Sequence, residues 1–153
     1  SDENDFINLM IELSKKYSLT LVSLPHHQKD YLKVNSIFDK LIEEKITLVK
    51  PVSLPNAPEI KRKCKECDLV VTGRMHVAIA SLSQIVPVIC YSYGDKFTGL
   101  LEHFNLEADK LIVSPKSNIR ESMSYCLSNN SFILNNINQR LKTVIGLSGN
   151  NFV

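Results

Sequence analysis

No apolar run in this 153-residue chain approaches the roughly 20 residues a helix needs to cross a bilayer, so no segment reads as a membrane span. A charge excess is missing too. The 18 Lys and Arg against 16 Asp and Glu leave a formal net charge of +2, too little to argue for a polyanion partner such as nucleic acid. The chain opens Ser1-Asp2-Glu3-Asn4-Asp5, acidic where a secretory signal would be basic. These absences point to a cytoplasmic protein. Repeats, low-complexity tracts and linkers are also lacking. What remains is 44% hydrophobic and 22% charged, an ordinary globular composition, in a chain whose length fits a single domain over 1–153 with its own core. Ser1 in place of Met reads as the start of a piece of a longer protein.

Four cysteines in a domain of this size do not make a disulfide scaffold. Cys64 and Cys67 form a C-x-x-C pair, but at the end of an expected helix and just before a strand. A redox pair belongs at a helix start, where the dipole lowers the thiol pKa; here the dipole acts in the opposite sense. A zinc site would need a second Cys or His pair at ligand spacing, and none is evident. The pair is expected to be structural, no metal is expected, and Cys90, inside an apolar run, is expected in the core.

Helical and strand periods alternate along the chain. Phe6, Met10, Leu13 and Tyr17 fall at helical spacing between Asp5 and Tyr17, followed by a strand at Leu19 to Leu24 that Pro25 stops. A second helix is expected over Asp30 to Glu44 with Val34, Ile37, Phe38, Leu41 and Ile42 inward, then a strand at Ile46 to Val49. A short edge strand could follow at Val52-Ser-Leu54. Asn56 with Glu59 resembles a capping box opening a helix to about Cys67. Next come a strand at Asp68 to Thr72, a helix from Met75 to about Gln84, and a strand at Val86 to Tyr91. A short helix over Lys96 to Phe104, a last strand at Leu111 to Val113, and helix from Ser117 to about Leu147, broken near Asn129-Asn130, complete the pattern. The tail from Ser148 is expected to fray.

Strands that are continuously apolar are buried on both faces, which predicts a parallel sheet with helices on both sides, a doubly wound, Rossmann-like α/β fold. With the five main strands numbered in chain order, the expected spatial order is 2-1-3-4-5, and ligands should bind at the strand carboxyl ends where that order reverses. Strand 1 ends there at Pro25-His26-His27, strand 3 at Gly73-Arg74-Met75-His76, and strand 4 at Ser92-Tyr93-Gly94-Asp95-Lys96. A helix start following a strand offers unpartnered N–H groups and a positive dipole end to an anion. Arg74 adds a bidentate fork and His76 a group that moves protons near neutral pH. Each has a plainer reading beside it: Arg74 as an ion-pair partner, His76 as a boundary histidine, Lys96 as a solvated lysine, His26 and His27 as loop. His103, beside Phe104, reads as a surface residue. Lys61-Arg62-Lys63 reads as a solvated helix face.

At these residues the chain resembles the polysaccharide pyruvyl transferase family. The resemblance is carried by Asp68-Leu-Val-Val, Gly73-Arg-Met-His76, Ala78, Ala80, Val86-Pro-Val-Ile-Cys-Tyr91 and Lys96, and covers about residues 19 to 105 well. It implies the C-terminal, GT-B-like lobe of a two-lobed enzyme, with an N-terminal lobe of the same protein lying outside this chain. It further implies transfer of a pyruvyl group from phosphoenolpyruvate to sugar hydroxyls as a pyruvate ketal on a surface polysaccharide, with no cofactor. Arg74 and Lys96 then suit the donor's phosphate and carboxylate, with Gly73 and Gly94 in the turns, and His76 suits a proton transfer. His26 or His27 could face His76, and the family pattern does not choose between them. Two other classes stand beside this one. A nucleotide-sugar-binding lobe of a GT-B glycosyltransferase or epimerase would show a Gly-rich turn after strand 1, where this chain has Pro-His-His. A non-catalytic binding domain would show no saturable anion binding.

Overall fold

The computed structural model describes residues 2–25, 27–50, 54–92, 94–114 and 117–148. Helices and strands alternate over them: α1 (Asp2–Ser14), β1 (Leu19–Val22), α2 (Gln28–Leu41), β2 (Ile46–Val49), α3 (Ala57–Lys65), β3 (Val70–Thr72), α4 (Met75–Ser83), β4 (Val88–Tyr91), α5 (Thr98–His103), α6 (Ala108–Leu111), β5 (Ile112–Val113), α7 (Ile119–Ser128) and α8 (Asn130–Ser148). The chain divides within α3 into two compact units, Ser1–Glu59 and Ile60–Val153. Among the described residues no helix is long and apolar enough to cross a membrane.

In the first unit β1 and β2 pair in parallel, Leu19 opposite Ile46 through Val22 opposite Val49. α1 packs on α2, and the Lys40 ammonium meets the Glu3 carboxylate at 3.0 Å, holding that exposed carboxyl below its ordinary range. Ile7, Leu9, Met10, Phe38 and Leu41 are buried. Of the expected stripes Met10, Phe38 and Leu41 are thus buried, Phe6, Leu13, Val34 and Ile37 are half-buried, and Tyr17 and Ile42 are exposed. Tyr17 lies past the end of α1, where the helical register that would turn it inward has stopped, while Ile42 caps α2 with its backbone still helical at φ −64° and ψ −27°.

The second unit carries β3, β4 and β5 as a parallel sheet in that order. Thr72 stands opposite Cys90, and Cys90 opposite Ile112. β4 is its buried centre, with Val88, Ile89 and Cys90 fully enclosed by a core that includes Leu82, Phe97, Leu101, Phe104, Ile133 and Ile137. The small residues Ala78, Ala80 and Ser81 of α4 are all buried, and the Ser81 hydroxyl donates to the Val86 carbonyl at 2.9 Å, which satisfies it. Beyond the Gln84 cap of α4, Ile85 takes a φ of 59°, in the left-handed region usually reserved for glycine. The Val86 N–H closes the helix end by donating back to the Ser81 carbonyl at 3.0 Å.

One expectation is corrected. The pairings 2-1 and 3-4-5 form, but β1 and β3 are not joined among the described residues: there are two small sheets, not one of five strands in the order 2-1-3-4-5. Apolar patterning reports what covers a strand's faces, whereas pairing is decided along its edges, by backbone groups that carry no pattern. The faces also differ from the expectation. Only β4 is buried throughout its first three residues; β1 has no fully buried residue and β2 alternates after Ile46. The expected edge strand over Val52 and Ser53, and the tail beyond Ser148, lie outside the described residues.

Candidate functional site

The carboxyl ends of β3 and β4 are shaped by matching turns. The Thr72 hydroxyl accepts from the Arg74 N–H at 3.0 Å, and immediately after β4 the Ser92 hydroxyl accepts from the Gly94 N–H at 3.2 Å. Each short side chain holds its own backbone in a turn and stops the strand from running on. Neither hydroxyl has a role in the sequence reading, although a Ser or Thr two residues before a turn residue is a signal that could have found both.

Arg74 is the residue immediately before α4, in extended conformation at φ −107° and ψ 125°, and its carbonyl accepts the first helical bond from Ala78 N–H at 3.1 Å. The amides of Met75, His76 and Val77 therefore belong to the open, positive end of a nine-residue helix. Arg74 is half-buried and His76, in the first turn, is exposed. Across from them Lys96 donates from Nζ to the Gly73 carbonyl at 3.1 Å, with the ammonium 4.9 Å from the Phe97 ring centre. Lys96 is not in a helix as expected: α5 starts at Thr98, and Lys96 sits in the preceding turn.

Four of the expected site residues, Gly73, Arg74, His76 and Lys96, are thus drawn from two adjacent strand ends in one unit, and Lys96 physically ties the two turns together. Gly94 is in the same turn as Lys96 and is exposed. His27 belongs to the other unit, where it opens α2: its backbone N–H donates to the Asp30 carboxylate at 2.9 Å, the reciprocal half of a capping box. His26 and Tyr93 lie outside the described residues. The pairing of strands 1 and 3 is not found among the described residues, and the grouping described here rests on β3 and β4 alone. His103 is exposed, edge-on to Phe104 and 3.5 Å from an Arg140 nitrogen, in keeping with a surface role.

The C-x-x-C pair has the geometry of packing, not of redox chemistry. Cys64 is fully buried, and burial pushes its thiol up to about 11; Cys67 donates to the Lys63 carbonyl at 3.2 Å and is also raised, chiefly by burial. Burial likewise lifts Cys90 to about 12 and Cys126 to about 11. A reactive or metal-bound sulfur would have to ionise where the fold favours the neutral form. This has a consequence in alkali. Unfolded thiols ionise near pH 9 while the buried ones hold their protons to about 11 or 12. The stabilisation is complete below pH 9 and is lost as pH rises through that window, by at most about 1.4 kcal/mol per pH unit for each thiol. Thermal melts at pH 8 and pH 10 should show a fall that is smaller in a Cys64→Ala, Cys126→Ala variant; equal falls in both proteins would rule the thiols out as its cause.

The described geometry is thus an α/β unit in which Arg74 and Lys96 stand on two neighbouring turns. The family model described as polysaccharide pyruvyl transferase matches residues 1–95. The chain belongs to that family, which is a family of transferases. The matched segment takes in Gly73, Arg74, His76 and Gly94 and stops one residue short of Lys96. No curated protein and no solved structure matches the chain.

Proposed function

We propose that this chain supplies the donor-binding lobe of a pyruvyl transferase that moves the pyruvyl group of phosphoenolpyruvate onto two saccharide hydroxyls as a ketal. In this reading it acts in the cytoplasm without a cofactor, as the C-terminal, GT-B-like half of a two-lobed enzyme that builds a surface polysaccharide. Phosphoenolpyruvate presents a phosphate and a carboxylate, so its recognition needs two cationic groups held close together. The observation that carries the reading is the Lys96 bond to the Gly73 carbonyl, which brings an ammonium to the turn that bears Arg74. The guanidinium offers a planar fork to one anionic group and the ammonium a point charge to the other, with the start of α4 adding its dipole.

The chemistry asks for proton transfers. The methylene carbon of the donor gains a proton to become the ketal methyl group, and the carbon–oxygen bond to phosphate breaks. Two acceptor hydroxyls lose their protons as they bond to the central carbon; one proton balances the methyl group and the other leaves with inorganic phosphate. His76, exposed in the first turn of α4, suits delivery of a proton to the methylene or removal of one from a hydroxyl.

Calorimetric titration of the chain with phosphoenolpyruvate tests the reading. Saturable binding that falls as salt screens the charges is expected, with no heat from uridine diphosphate. Binding of uridine diphosphate in preference to phosphoenolpyruvate would replace this reading with the nucleotide-sugar one, and binding of neither would reject a donor lobe.

A further inference from the structure

Thr72 is the last residue of β3, and only Gly73 and Arg74 separate it from the start of α4 at Met75. β3 alternates: Val70 is buried, Val71 exposed and Thr72 half-buried, so Thr72 shares the inward face with Val70. Valine would fill the same space and is also a strong strand former. What threonine adds is a hydroxyl, and that hydroxyl accepts from the Arg74 N–H at 3.0 Å. Branching at its β-carbon restricts the torsion that carries the oxygen. The strand behind it is anchored, because Thr72 stands opposite Cys90, which is fully buried.

The turn needs such a hold. Glycine restricts its own backbone least of all residues, so sterics at Gly73 leave the path from β3 to α4 loosely specified. Hydrogen bonds specify it instead. The Gly73 carbonyl and the Arg74 N–H belong to one peptide, and a peptide is a rigid plane. Lys96 donates to its carbonyl at 3.1 Å while Thr72 accepts from its N–H at 3.0 Å, so both poles of that plane are held. The next peptide is held too, by the Ala78 N–H bond to the Arg74 carbonyl at 3.1 Å. With the planes on either side of Arg74 fixed, the direction in which its side chain leaves the backbone is fixed as well. An arginine side chain has many rotamers, and a turn of its root is carried out to the guanidinium. Lys96 is exposed, and in the donor reading it shares its ammonium with the ligand, whereas the Thr72 bond is internal to the turn and half-buried.

We propose that Thr72 is a positioning residue: its hydroxyl fixes the backbone from which the Arg74 side chain springs and so presets the guanidinium for an anion. Ordering the guanidinium in advance raises affinity, because binding no longer carries that entropic cost. That the anion is phosphoenolpyruvate rests on the pyruvyl transferase reading; that Thr72 acts through Arg74 rests on the turn alone. A threonine that only stopped the strand would affect stability and leave Arg74 as it is.

Two measurements test this. The first uses no ligand: nitrogen relaxation of the isotopically labelled chain reads the order of the Arg74 amide and of its Nε–H bond. In Thr72→Val both should lose order, the amide falling below the value of about 0.85 typical of rigid backbone, and Thr72→Ser, which keeps the hydroxyl, should match the parent. The second is calorimetric titration with phosphoenolpyruvate. Thr72→Val should weaken binding roughly three- to tenfold, the worth of one hydrogen bond, and Thr72→Ser should recover it to within about twofold. In an Arg74→Ala background Thr72→Val should cost no further affinity, since no guanidinium is left to place. Thr72→Ala removes the hydroxyl without a branched side chain and should repeat the valine result, and thermal melts identify the variants that keep the fold. The inference is overturned if the hydroxyl-free variants leave Arg74 as ordered as in the parent or bind the donor like it. It is also overturned if serine fails to rescue, or if valine costs the same factor with and without the Arg74 side chain. A parent that ignores phosphoenolpyruvate, yet loses order at Arg74 on Thr72→Val, would support the positioning role while defeating the donor reading.

Discussion

Replacing Arg74 with lysine is expected to weaken phosphoenolpyruvate binding by about 1–3 kcal/mol, roughly 5- to 150-fold in Kd. The charge is kept, so the loss isolates the planar fork, which alone can make two parallel bonds to a phosphate or carboxylate. The turn itself should survive. Its backbone is held by the Arg74 N–H bond to Thr72 and by the Ala78 bond to the Arg74 carbonyl, and neither uses the side chain. A matched thermal melt would establish that the fold is intact, and calorimetry would then read the affinity. Lysine that binds the donor as well as arginine would remove Arg74 from the site.

His76→Gln is expected to leave donor affinity within about threefold while lowering kcat of the full-length enzyme by roughly 100- to 10,000-fold, the range for loss of a general acid or base. Glutamine keeps a hydrogen-bonding end but cannot carry a proton through a cycle. His76 is exposed in the first turn of α4, so the exchange should cost little stability. Phosphate release from phosphoenolpyruvate in the presence of acceptor measures the rate. Normal turnover in this variant would assign the proton to another group.

Much of this arrangement is legible in the order of residues. The strand over Ile46–Val49 matches its apolar run residue for residue, and α4 begins at Met75 as its pattern requires. The Asn56 side chain accepts from the Glu59 N–H at 2.9 Å, as the expected cap would have it. These are local matters, settled by neighbours within a few positions. What escaped was settled at longer range or by smaller signals. The separation into two sheets depends on strand edges, which leave no mark on side-chain pattern. The single-turn α6 is too short to establish a period. The end of α4 at Ile85 runs against propensity, because a β-branched residue is a poor choice for a positive φ and the surrounding contacts impose it. In the site, Arg74, His76 and Lys96 were visible as chemistry, while the bond from Lys96 to Gly73 was not, since it joins residues 23 apart.

Gly73 sets the tolerance of the whole turn. A side-chain carbon at that position would stand 3.3 Å from the Tyr91 carbonyl oxygen, closer than carbon and oxygen settle without some adjustment. Its backbone is not in the left-handed region, so what glycine offers there is clearance and not conformation. The chain at Gly73 and the Tyr91 carbonyl therefore meet closely, and the Lys96 bond to the Gly73 carbonyl ties the same two turns through a side chain. Over evolutionary substitution this makes position 73 a gauge: alanine or serine would wedge the turns apart by a few tenths of an ångström, and a branched residue would open them further. Selection acting on that one position can widen or narrow the gap between the two turns without altering Arg74 or Lys96.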